Sequence, residues 1–200
     1  MNTMTIVKSE LILGGQKSGK SRRAELVARQ WLNAAPGHRA VLIATAQPWD
    51  DEMRQRIARH QADRAERVPA MTTVEEPLAL AEAIGLNSRA ETLVVVDCLT
   101  LWLTNLLMPA ESPKIPNFES KQAEAQVKPA WVAPLLIAIQ NAAGPIVLVG
   151  NEIGLGVIPM GREVRAFVDT LGRLNQDVAA ACERVTLMAA GLPLTLKDMP

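Results

Sequence analysis

Residues 11–29 join an apolar run (Leu11, Ile12, Leu13) to a glycine-rich turn and then to a helical pattern, and no other stretch constrains the fold as tightly. The turn is Gly14, Gly15, Gln16, Lys17, Ser18, Gly19, Lys20 and Ser21, a full match to G-x-x-x-x-G-K-S/T. A strand must deliver this turn to the start of a helix. Its glycines let the backbone curl so that successive N–H groups point at one anion, and the helix start adds its free donors and positive dipole end. Lys20 is then expected to stand out toward solvent as a ligand group for the β- and γ-phosphates, with the Ser21 hydroxyl on Mg²⁺. The chain is predicted to bind a nucleoside triphosphate.

Beyond this turn the chain alternates in the same sense. Helices are predicted over 21–34, 50–66, 77–84, 99–108 and 162–182, with short apolar strands over 40–45, 71–75, 92–97, 145–150 and 184–190 between them. Strands without polar alternation are those of a parallel sheet covered on both faces. The expected class is therefore α/β, a mostly parallel sheet with helices on both faces, closed by a short C-terminal hairpin at 191–197. Its 200 residues suit one nucleotide-binding domain, 1–200. Within it, 109–129 reads as a surface insertion, because it holds four prolines and little apolar periodicity.

Charge narrows the partners. With 21 basic and 21 acidic residues and no tyrosine, the chain has neither the field nor the aromatic platform that nucleic acid calls for. No apolar run approaches a membrane span, and the N-terminus lacks a signal-type hydrophobic region. Cys98 and Cys182 lie far apart without metal-ligand spacing and read as free thiols of a reducing compartment. The expected location is the cytoplasm.

Four further groups of residues could carry chemistry. Asp97 ends an apolar strand at the edge where open α/β sheets bind ligands; it is either a Mg²⁺ carboxylate or the N-cap of the next helix. His60, on the charged 50–66 helix, is either a base or phosphorus nucleophile or a solvated surface residue. The loop 151–159 (NEIGLGVIP) follows a buried strand and holds two glycines. Arg162, Arg165 and Arg173 could meet phosphates, whereas Leu171, Leu174 and Val178 form a core stripe.

Taken together, the phosphate loop, residues 43–47, DDEM at 50–53 with Arg56, Ile57, Arg59 and His60, the TNLL run at 104–107, NEIGLGVIP at 151–159 and GRLNQ at 172–176 resemble one family. It is that of the bifunctional adenosylcobinamide kinase/adenosylcobinamide-phosphate guanylyltransferases of cobalamin biosynthesis, and the resemblance runs from Leu11 to Lys197. It implies a P-loop NTPase-type, RecA-like sheet and two reactions. A nucleoside triphosphate (ATP or GTP) phosphorylates the aminopropanol hydroxyl of adenosylcobinamide. GTP then gives GMP to that phosphate through a guanylylated histidine, which falls on His60. The family's nucleotide contacts fall on Gly14 to Ser21, on Thr45, Ala46 and Gln47, on Gln61, Ala62, Asp63 and Arg64, and on Glu75 and Asp97, where some members carry Glu. Mg²⁺ on Ser21 and Asp97, a corrinoid substrate and a homo-oligomer, a trimer, are implied with it. A P-loop small-molecule kinase without guanylyl transfer, a guanylyltransferase lacking the kinase activity, and a non-catalytic nucleotide switch stay open as other readings.

Overall fold

The computed structural model describes residues 5–108 and 129–199. Its chain order is β1 (Ser9–Gly14), α1 (Lys20–Ala34), β2 (Arg39–Ala44), α2 (Asp51–Arg67), β3 (Met71–Glu75), α3 (Leu80–Asn87) and β4 (Thr92–Asp97), then α4 (Leu99–Leu107), α5 (Val132–Gln140), β5 (Ile146–Val149), α6 (Arg162–Ala181), β6 (Arg184–Ala189) and β7 (Leu192–Asp198). The strands form one sheet in the order β3-β2-β4-β5-β1-β6-β7, parallel except for the β6–β7 hairpin. Ala190 and Gly191 turn that hairpin with φ of 51° and 79°, the left-handed pair that matches strand twist.

The apolar runs explain the layering. Leu11, Leu13, Val94, Val96, Ile146 and Leu148 point to one face, where Leu80 and Ile84 of α3 and residues Leu99, Leu135 and Leu174 of α4, α5 and α6 cover them. Ile12, Leu93, Val95, Val147 and Val149 point to the other, against Ala24, Val27 and Ala28 of α1. A strand buried on both sides has no polar alternation to show, which is the pattern the sequence carries.

Two local differences from expectation have physical causes. α3 begins at Leu80 rather than at 77, because Glu76 Oε1 accepts from the amides of Leu78 and Ala79 and holds the chain in a turn there. α5 has no counterpart among the expected helices. Its nine residues are apolar nearly throughout and carry Pro134 in the first turn, where a missing N–H breaks no helical bond. The insertion assigned to 109–129 lies outside the described residues except for Pro129.

Candidate active site

The parallel strands all end on the same edge of the sheet, and the register shows which ends are neighbours. Glu75 pairs with Ala44, Ala44 with Asp97, Asp97 with Val149, and Val149 with Ile12 two residues before the phosphate loop. From β3 to β1 is four strand spacings, about 19 Å at ~4.8 Å each. Glu75, the 45–47 segment, Asp97 and the loop therefore line one continuous edge, although they are far apart in sequence.

The loop owes its shape to its glycines. Gly14 has φ of 152°, and a Cβ there would stand 2.5 Å from the Met188 carbonyl oxygen and 2.6 Å from Ser18 Oγ. Gly19, at φ of 99°, is the N-cap of α1 and supplies no side-chain cap. The first amides of α1 are thus left to other acceptors, as an anion site requires. Ser21 sits half-buried in the first turn.

Lys20 departs from expectation. It is 8% exposed rather than solvent-facing, because the loop wraps its ammonium: Nζ donates to Gly15 O at 2.5 Å and to Ser18 Oγ at 3.4 Å. Burial holds its pKa below the ordinary lysine value; Cys98 and Asp97 oppose that shift and the Arg56 guanidinium adds to it. The end of β4 and the α2 residue Arg56 therefore both lie within electrostatic reach of the loop's cation.

Asp97 is half-buried and is not the cap of α4. That position belongs to Cys98, whose Sγ accepts from Leu101 N at 3.5 Å. The β4 end is braced from β2. Thr45 Oγ1 donates to Cys98 O at 2.7 Å and accepts from Cys98 N at 2.9 Å, and Thr45 N donates to Asp97 O at 3.2 Å. Asn105 of α4 completes the brace, donating through Nδ2 to Thr45 O at 2.8 Å and Pro77 O at 3.1 Å. Thr45 has every polar group engaged within the protein, so Ala46 and Gln47, both half-buried, are the members of that trio open to a ligand.

α2 is attached differently. None of its 17 residues is buried, and Asp50 caps it by accepting from Met53 N at 2.7 Å. Nη1 and Nη2 of Arg56 stand 3.0 and 3.1 Å from the end of the Gln16 side-chain amide in the phosphate loop, a contact that becomes a pair of hydrogen bonds when the amide turns its oxygen toward them. Arg67 donates to Glu25 of α1 at 3.0 Å and pairs with Asp63 at 3.2 Å, while Arg64 reaches Thr73 Oγ1 at 3.3 Å. At 100° per residue, positions 56, 60, 63 and 67 fall on one stripe. His60, exposed, thus stands between the helix's anchor to the loop and its anchor to α1, with Gln61 and Ala62 exposed beside it. A small cavity of about 120 Å³ lies at the α1 end of this interface, lined by Arg22, Glu25, Leu26, Arg29, Arg67 and Val68; it contains none of the expected site residues.

The 151–159 loop is pinned from α6. Arg165 Nη1 donates to Pro159 O at 3.0 Å and to Met160 O at 2.5 Å, so this arginine, a candidate for phosphate binding by its sequence position, is occupied by the loop. Asn175 Nδ2 donates to Asn151 O at 3.0 Å. Leu171, Leu174 and Val178 are buried as the stripe required. Sequence reasoning gave no role to Asn105 or Asn175. The available signal was an amide set among the apolar positions of a helix, Leu103 and Leu106 in one case and Leu174 and Val178 in the other.

The family model of cobinamide kinase / cobinamide phosphate guanyltransferase matches residues 10–196, which takes in all of these elements. The chain belongs to that family. The bifunctional adenosylcobalamin biosynthesis protein CobP of Pseudomonas aeruginosa is 45% identical over 191 residues, 96% of this chain and 98% of that protein. The bifunctional adenosylcobalamin biosynthesis protein CobU of Escherichia coli K12 is 36% identical over 187 residues, 94% and 98% of the two chains. A solved structure from Pyrococcus horikoshii OT3 superposes with a TM-score of 0.52 at 9% identity, covering 100% of this chain and 94% of the other, a likeness of fold alone. Among the described residues of this family member, no helix is long and apolar enough to cross a membrane, and no three His, Cys, Asp or Glu side chains cluster as a metal cage.

Proposed function

We propose that the chain performs both reactions of its family, phosphorylating adenosylcobinamide and then transferring GMP from GTP to the phosphorylated product through His60. The observation that carries this reading is the α2 stripe. Arg56 ties one end to Gln16 of the phosphate loop and Arg67 ties the other to Glu25, with His60 between them on the same side.

Direct attack of a phosphate monoester on GTP brings two anions together. Passing GMP through an imidazole divides the transfer into two displacements, each with a good leaving group. In the first, a His60 ring nitrogen bonds to the α-phosphorus and the bond to the α–β bridging oxygen breaks, releasing pyrophosphate. In the second, a phosphate oxygen of the corrinoid displaces the imidazole. Lys20 and the α1 amides offset the charge that develops on the phosphates. A half-buried hydroxyl on Ser21 and a half-buried carboxylate on Asp97 are the hard oxygen donors that Mg²⁺ takes when substrate phosphates and water complete its shell. When bound there, Mg²⁺ supplies further neutralisation of phosphate charge. Ala46, Gln47, Glu75 and the 61–64 turn of α2 are assigned to the rest of the nucleotide.

The chain acts as one domain in the cytoplasm and as a homo-oligomer, a trimer. An apolar run supports association: Leu155, Val157, Ile158 and Met160 are 79%, 96%, 77% and 96% exposed. The test of the central reading is incubation with α-labelled GTP. Wild type is expected to take up acid-labile, alkali-stable label on His60. His60→Ala is expected to take up none and to lose guanylyl transfer while still phosphorylating adenosylcobinamide. Transfer at the wild-type rate in His60→Ala, or label on another residue, overturns the assignment.

A further inference from the structure

The strand that carries the phosphate loop, β1, has two neighbours in the sheet, β5 and β6. β6 runs out into Ala189, Ala190 and Gly191, which have no titratable side chain. β5 runs out into Gly150, Asn151 and Glu152. Gly150 N donates to Ile12 O at 3.0 Å and Glu152 N to Gly14 O at 3.1 Å, so the backbone of Glu152 is fastened to the first residue of the loop. Asn175, 3% exposed on α6, holds the side chain: its Nδ2 lies 3.4 Å from Glu152 Oε2 while also binding Asn151 O. Gly154 N reaches the other oxygen, Oε1, at 3.2 Å. An ionised carboxylate has about four acceptor sites, so these amide donors orient it and leave capacity on it. The NEIGLGVIP and GRLNQ motifs meet here, at a half-buried carboxylate beside the loop.

The two reactions differ in what they ask of such a group. In guanylyl transfer the acceptor is a phosphate monoester, already anionic. In phosphorylation the acceptor is an alcohol, which must lose a proton as it reacts. We propose that Glu152 is the general base of the phosphorylation step, an inference that rests on the kinase half of the function proposed above. The hydroxyl oxygen bonds to the γ-phosphorus and the bond from that phosphorus to the β–γ bridging oxygen breaks. The nucleoside diphosphate leaves with the electron pair, and the hydroxyl proton passes to the Glu152 carboxylate and on to water. Asp97, across β5, is assigned to the metal and does not serve this proton.

The test is the ratio of two rates measured on the same preparation: phosphorylation of adenosylcobinamide, and guanylyl transfer to preformed adenosylcobinamide phosphate. General-base catalysis contributes roughly 10²–10⁴-fold. Glu152→Gln, which keeps the shape and a carbonyl oxygen but not the basicity, is expected to lower the kinase-to-transfer ratio about a hundredfold or more. The fall is expected in kcat, with the KM for adenosylcobinamide little changed. The transfer rate also reports that the variant is folded. A ratio that changes less than about tenfold overturns the inference, as does an equal fall in both rates, which would make Glu152 a support of the loop. A wild-type enzyme that transfers GMP without phosphorylating adenosylcobinamide overturns the kinase reading itself and this inference with it.

Discussion

Asn105 offers the sharpest test of how the Asp97 side of the site is held, because one amide nitrogen bridges two segments. Its Nδ2 donates to Thr45 O at 2.8 Å and Pro77 O at 3.1 Å, and the residue is 3% exposed. Asn105→Ala leaves both carbonyls without this donor. The Thr45 oxygen is fully buried and loses its partner outright, for which roughly 1–3 kcal/mol is usual; the Pro77 oxygen is half-buried, so water recovers part of its loss. The sum is about 2–4 kcal/mol. In a chain of this length about 2–4 °C of melting temperature follows each kcal/mol, so a fall of roughly 4–16 °C is expected. Asn105→Asp is the decisive companion. It has the same shape, yet it sets an acceptor against two acceptors, and it is expected to melt at least as low as the alanine variant. Calorimetric scans at one pH and scan rate measure both. An aspartate variant melting within about 2 °C of wild type refutes the reasoning, since shape alone would then hold the brace.

Lys20→Ala is expected to abolish both activities with either triphosphate and to shift stability by no more than about 1 kcal/mol, since alanine is the best helix former and Lys20 gives up a desolvated charge; unchanged turnover removes the phosphate loop from the mechanism. Asp97→Asn is expected to lower Mg²⁺-dependent activity far more than melting temperature, and normal Mg²⁺ dependence would strip Asp97 of its metal role. Burial pushes the Cys98 and Cys182 thiols up to about 12 from an ordinary 9.0, so the native state keeps protons that the unfolded chain gives up. Their contribution is present in full below pH 9 and is lost as pH rises toward about 12. Cys98→Ser, which keeps a capping oxygen, is expected to flatten that alkaline decline in denaturant titrations; an unchanged slope counts against it.

The parallel layering was legible because β4, β5 and the Leu11, Ile12 and Leu13 end of β1 are buried on both faces and therefore read as apolar runs without polar alternation. The loop was legible for a different reason: its glycines stand where backbone conformation or close approach demands them, and that demand is local. What escaped was set by distance along the chain. Asn105 answers a carbonyl 60 residues away, and Arg67 answers Glu25 across 42, pairings that no local pattern encodes. Cap propensity favours Asp over Cys, yet the helix starts one residue later than that preference suggests, and Cys98 takes the position. The burial of Lys20 was missed because an ammonium reads as a surface group until the turn that encloses it is built.

The way α2 is fastened has a consequence for how the molecule opens. A helix with no fully buried residue, holding only Met53 and Ile57 half-buried among its large apolar side chains, releases little apolar surface when it lifts away, so its backbone amides are expected to exchange with solvent through a local opening well below the free energy of global unfolding. The amides of β1, β4 and β5 exchange only when the sheet itself comes apart. The residues around His60 are thus expected to open as a different cooperative unit from the phosphate loop, so that the two halves of the site keep separate clocks.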